Sequence, residues 1–116
     1  MPKYTIYHNP RCSKSRQTLA LLEENGVAPE VKLYLNDVPT SVELKAILKK
    51  LAIPARELLR QKEPDYKALK LADPNLSEDD VIDAMIAQPK LIERPIVICG
   101  NKAVLGRPPE NALTLL

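Results

Sequence analysis

The stretch Tyr4-Thr5-Ile6-Tyr7-His8-Asn9-Pro10-Arg11-Cys12-Ser13-Lys14-Ser15-Arg16 decides how this chain is read. Tyr4 to Tyr7 is rich in β-formers and alternates in polarity, which predicts a strand ending at His8. Pro10 stops it. Ser13 is placed to cap a helix running to about Asn25, with Leu19 and Leu22 on one face and Gly26 as its terminator. Beyond it, Val31, Leu33 and Leu35 alternate with Lys32 and Tyr34 as a second strand. Strand, helix, strand implies a right-handed parallel crossover. Cys12 then lies at the carboxyl end of the first strand, where open α/β sheets gather their ligands.

That position suits a thiolate. The unpaired N–H groups and positive dipole end of a helix N-terminus favour the ionised sulfur, and Arg11, Lys14, Arg16 and a protonated His8 would add to the field. The same donors can cradle an oxyanion. A buried, inert thiol is the alternative, but three basic residues within four positions argue against it.

Composition narrows the function. In 116 residues, 45% apolar content supports one domain with an ordinary core. Four Tyr and no Phe or Trp leave no aromatic platform for stacking bases. Seventeen basic against 15 acidic residues give a net charge of +2, too balanced for a nonspecific polyanion surface, so no nucleic-acid partner is expected. The two cysteines, Cys12 and Cys99, form neither a metal-ligand spacing nor a disulfide framework, and no metal is expected. Met1-Pro2-Lys3 followed by a strand pattern lacks the apolar run of a signal peptide, and no segment has transmembrane length. The expectation is a cytoplasmic protein with reduced thiols and no membrane partner.

The middle of the chain changes character. Thr40 with Glu43 forms a capping box ahead of Leu44, Ile47, Leu48 and Leu51 at helical spacing. A short helix is expected from near Pro54, carrying Leu58, Leu59 and Arg60, and another short piece follows Pro64 with Tyr66, Leu69 and Leu71. Ser77 caps a further helix that turns Val81, Ile82, Met85 and Ile86 inward until Gln88-Pro89 ends it. The last third returns to sheet: Ile96 to Cys99 is an apolar run, Gly100-Asn101 a hairpin turn, Ala103 to Leu105 the return strand. Pro108-Pro109-Glu110 opens a final short helix to Leu116. The order is that of an α/β, thioredoxin-like (glutaredoxin-like) fold with a mixed four-stranded sheet. A single domain 1–116 is expected, with its core at about 1–39 and 89–116 and a helical insertion at about 40–88.

His8-Asn9-Pro10-Arg11-Cys12 with Ser15-Arg16, then Glu57-Leu58-Leu59-Arg60, Glu93-Arg94-Pro95-Ile96-Val97 and Gly106-Arg107-Pro108-Pro109-Glu110, resemble the glutaredoxin-coupled arsenate reductases of the ArsC type, in the ArsC/Spx superfamily. The likeness runs over nearly the whole chain. Ser13-Lys14 stand where better-characterised members carry Gly-Thr, which marks a Ser-Lys branch. The resemblance implies Cys12 as nucleophile, Arg60, Arg94 and Arg107 as binders of the oxyanion, and His8, Ser15 and Arg16 as stabilisers of the thiolate. A planar guanidinium donating paired hydrogen bonds suits a tetrahedral anion. It further implies arsenate as substrate, glutathione as co-substrate, glutaredoxin as protein partner, no bound cofactor and a monomer. Ser15 occupies the fourth position of a C-x-x-C, so Cys12 has no neighbouring resolving thiol. Cys99, on an apolar strand, reads as a core residue. A cis Arg94–Pro95 bond ahead of the third strand is expected from thioredoxin-like folds. Two other readings compete: a monothiol glutathione-dependent disulfide or deglutathionylation reductase, and a non-catalytic Spx-like regulator that binds RNA polymerase. Regulators of that type usually carry the second cysteine that Ser15 replaces.

Overall fold

The computed structural model describes residues 3–116 and resolves them into two compact units, Arg94–Leu116 with the chain up to Asp37, and Val38–Glu93. In the first unit, β1 (Tyr4–Tyr7), β2 (Glu30–Lys32), β3 (Ile96–Cys99) and β4 (Lys102–Leu105) form one sheet in the order β2-β1-β3-β4. β1 runs parallel to β2 and antiparallel to β3, and β3 is antiparallel to β4, so the sheet is mixed. This is the thioredoxin-like arrangement expected, with α1 (Ser13–Glu24) as the crossover helix. Ile6, Leu22, Val97 and Ala112, all fully buried, make the unit's core, joining β1, α1, β3 and the C-terminal 3₁₀ segment Pro109–Leu115.

Several elements differ from expectation, each for a physical reason. Cys12, not Ser13, is the N-cap of α1. Its amide donates to the Asn9 carbonyl (3.0 Å) while its own carbonyl accepts from Arg16 (3.0 Å), so the loop closes directly onto the helix. α1 ends one residue early, at Glu24, where Gly26 turns the chain at φ +79°. β2 is only three residues long: the Asn36 and Asp37 amides donate to the Leu33 carbonyl, turning the chain there. Val31 on this edge strand and Leu33 just past it are left exposed, and Tyr34 is the residue that turns inward, 1% exposed. The final helix is of 3₁₀ type throughout.

In the second unit, α2 (Ser41–Leu51) and α4 (Glu78–Ala87) bury Leu44, Ile47, Leu48, Val81, Ile82 and Met85, while Leu51 and Ile86, read from the same spacing, are half-buried and α3 (Pro64–Ala68) buries none of its residues. The Thr40–Glu43 capping box is present, and Ser77 forms a second one with Asp80. The segment after Pro54 is a 3₁₀ turn, Ala55–Leu58, rather than a helix carrying Arg60. Leu59 instead bridges Ile92, and paired backbone bonds fasten the two segments, Arg60 N–H to Leu91 (2.8 Å) and Glu93 N–H to Leu58 (2.8 Å). A further 3₁₀ turn, Pro89–Leu91, which the sequence did not announce, belongs with this unit, so the sheet unit resumes at Arg94.

Candidate active site

Cys12 is 9% exposed, at the end of β1's loop and the start of α1. Burial alone would push its thiol up. The backbone N–H of Ser15, the Arg94 guanidinium, the backbone N–H of Lys14 and the Arg107 guanidinium act in the opposite sense and prevail, holding the thiol below the ordinary cysteine value. Arg107 reaches the sulfur directly, Nη1 to Sγ 3.9 Å, and the same nitrogen donates to the Arg94 carbonyl at 3.4 Å. A nucleophilic sulfur, two guanidinium groups and first-turn amides thus share one end of the sheet unit. Such a set can ionise a thiol and hold a tetrahedral anion against it.

Of the three residues the resemblance assigned to the thiolate, Ser15 reaches the sulfur through its backbone N–H, whereas His8 and Arg16 make other contacts. His8 is 6% exposed, and burial, with the Arg16 charge added, lowers its pKa, so the ring is neutral at pH 7 and adds no positive field. Its Nδ1 lies 2.6 Å from the Ser15 hydroxyl, which also accepts from the Asn9 amide (3.0 Å). The fully buried Ser15 side chain therefore ties the loop to β1, while its backbone N–H serves the sulfur. Arg16 folds back to donate to the Pro10 carbonyl (2.8 Å), and Lys14 contributes through its amide. Arg60 lies in the helical unit, where it donates to Glu63 Oε1 (3.2 Å) and the Lys90 carbonyl (3.3 Å). Cys99 is half-buried on β3 opposite Tyr4 and Lys102.

The Arg94–Pro95 bond is cis, as expected; the Arg107–Pro108 bond is also cis, which the sequence reading did not foresee. Thr18, which no motif singled out, lies against Gly106, the first residue of the Gly106-Arg107-Pro108 motif. Thr18 is fully buried and its hydroxyl donates to the Lys14 carbonyl (2.8 Å), with the Gly106 carbonyl 3.3 Å from the same oxygen. A threonine on the core face of a helix was the available signal. Among the described residues no three His, Cys, Asp or Glu side chains are grouped to hold a metal, and no helix is long and apolar enough to cross a membrane.

A buried thiol at a helix N-cap, its pKa held below the ordinary cysteine value and flanked by arginines on a thioredoxin-like sheet, defines the class of site this is. The comparisons with known proteins give it a family. The ArsC family model matches residues 7–115, and this chain belongs to the ArsC family. It is 50% identical over 117 residues to an arsenate reductase of Neisseria meningitidis, covering 100% of both chains. It is 58% identical over 112 residues to the uncharacterized protein YfgD of Escherichia coli K12, covering 96% of this chain and 94% of that one. Among solved structures, an arsenate reductase from Vibrio cholerae superposes with a TM-score of 0.97 at 51% identity, over 99% of this chain and 98% of that one.

Proposed function

We propose that the protein is an arsenate reductase in which Cys12 attacks arsenic and glutathione and glutaredoxin supply the remaining thiols. The observation that carries this reading is the placement of Arg94, Arg107 and the Lys14 and Ser15 amides around one buried sulfur. Cys12 S⁻ displaces one oxygen of the bound anion as hydroxide or water, forming an S–As bond. Glutathione displaces a second oxygen from arsenic as water. The glutaredoxin thiolate attacks the glutathione sulfur so that its S–As bond breaks with the electron pair left on arsenic, and water then cleaves the Cys12 S–As bond and restores the thiol. Two thiols end as a disulfide, arsenic leaves as arsenite, and water carries away the displaced oxygen. Relatives named arsenate reductases at 50% identity over the full chain support the substrate. The lone sulfur, with Ser15 committed to His8 and Asn9, supports an external second thiol.

Arg94 and Arg107 hold the anion in this reading, and the family resemblance extends that role to Arg60. Thiol chemistry of this kind belongs in a reducing compartment, the cytoplasm, and needs no bound cofactor and no second copy of the chain. Competition tests the site. Arsenate should slow alkylation of Cys12 by neutral iodoacetamide, and Arg94→Ala should remove that protection, since one charge-assisted contact contributes about 1.5–3 kcal/mol, roughly tenfold to hundredfold in affinity. Undiminished alkylation of wild type in saturating arsenate would defeat the proposal.

A further inference from the structure

Three segments that carry the proposed site meet at a residue outside it. Gly106 precedes Arg107, and its amide donates to the carbonyl of Pro95, the residue after Arg94, at 2.9 Å. Its carbonyl faces the hydroxyl of Thr18 at 3.3 Å, and that hydroxyl donates to the Lys14 carbonyl at 2.8 Å, in the first turn of the helix that Cys12 caps. No left-handed torsion calls for glycine here. Space does: a Cβ at position 106 would stand 2.5 Å from Thr18 Oγ1, 2.7 Å from Pro95 Cγ and 2.9 Å from Thr18 Cγ2. Those atoms belong to the buried Thr18 side chain and the buried Pro95 ring, so the clash is not with the far end of a flexible side chain.

We propose that Gly106 and Thr18 are positioning residues that set the distance between Cys12 and the two arginines, by letting the strand end that carries Arg107 lie against the first turns of α1. The proposal deepens the anion-site reading and rests on it. A methyl group at position 106 must push apart the segments bearing Arg107, Arg94 and Cys12, whose groups act together only at short range.

The test uses Gly106→Ala, Thr18→Val, Thr18→Ser and the double variant Gly106→Ala/Thr18→Ala. The readout is the pH midpoint of Cys12 alkylation by iodoacetamide, located by peptide mapping, with arsenate protection measured in parallel. Because the midpoint needs no substrate, it still reports if the arsenate assignment fails. Gly106→Ala should raise the midpoint by at least half a pH unit and weaken arsenate protection about tenfold. The double variant removes two of the three close contacts and should recover part of both losses, a coupling that general destabilisation would not produce. Thr18→Val keeps the shape but not the hydroxyl and should shift the midpoint the same way; Thr18→Ser should stay near wild type. If Gly106→Ala folds and leaves midpoint and protection unchanged, the inference is overturned. If it does not fold, the two Thr18 variants decide: Val shifted and Ser unshifted supports it, and both unshifted overturns it.

Discussion

Replacing Arg107 by alanine removes a cation within hydrogen-bonding distance of the Cys12 sulfur, at 3.9 Å. Two unit charges at about 4 Å interact by about 1 kcal/mol in bulk water and about 4 kcal/mol at an effective dielectric of 20. Arg107 is exposed, so the screened end of that range applies. Since 1.36 kcal/mol corresponds to one pKa unit, loss of about 1 kcal/mol should raise the Cys12 alkylation midpoint by roughly 0.7 pH units. Arg107→Lys should fall between the two, because the charge survives without the guanidinium's reach. Rates of iodoacetamide labelling across a pH series, resolved to the Cys12 peptide, measure this directly. A midpoint in Arg107→Ala within about 0.2 pH units of wild type would show that the amides and Arg94 suffice, and the pairing of Arg107 with the thiolate would be refuted.

Two other outcomes follow from neighbouring geometry. His8 is the chain's single histidine, so its ring protons titrate without overlap by NMR and should give a midpoint below 6.5. With the folded value depressed, the unfolded chain binds the proton first, so His8's contribution to stability is present above about pH 6.5 and is lost as pH falls through the folded value; a midpoint above 6.5 would reverse this. In the helical unit, Thr40→Ala removes a complete capping box and should cost about 1 kcal/mol in urea unfolding, and an unchanged midpoint would show the box to be idle.

Local signals were legible in the sequence where a residue's role is set by its near neighbours. Alternation marked β1, a continuous apolar run marked β3, helical spacing marked α2 and α4, and Thr40, Gly26 and Gly100-Asn101 marked ends and turns, because caps and turns are decided within three or four residues. Cys12 could be singled out for the same reason: its helix and basic loop are contiguous with it. The misreadings share a different cause. Tyr34 turns inward at a chain reversal just past an edge strand, where alternation stops governing burial. Leu59 and Arg60 look helical but pair with a segment more than thirty residues on. His8 loses its charge to burial, which a list of basic neighbours does not reveal. The meeting of Thr18, Pro95 and Gly106 depends on three distant segments touching, and only the fold displays it.

Release of arsenite from arsenate by the purified protein, with glutathione and glutaredoxin and beside a glutathione mixed disulfide as rival substrate, tests the central claim most directly. Arsenite production should require both thiol donors, disappear in Cys12→Ser and survive in Cys99→Ser. Efficient reduction of the mixed disulfide with no arsenite from arsenate, unaffected by Arg94→Ala or Arg107→Ala, would contradict it and identify a thiol reductase instead.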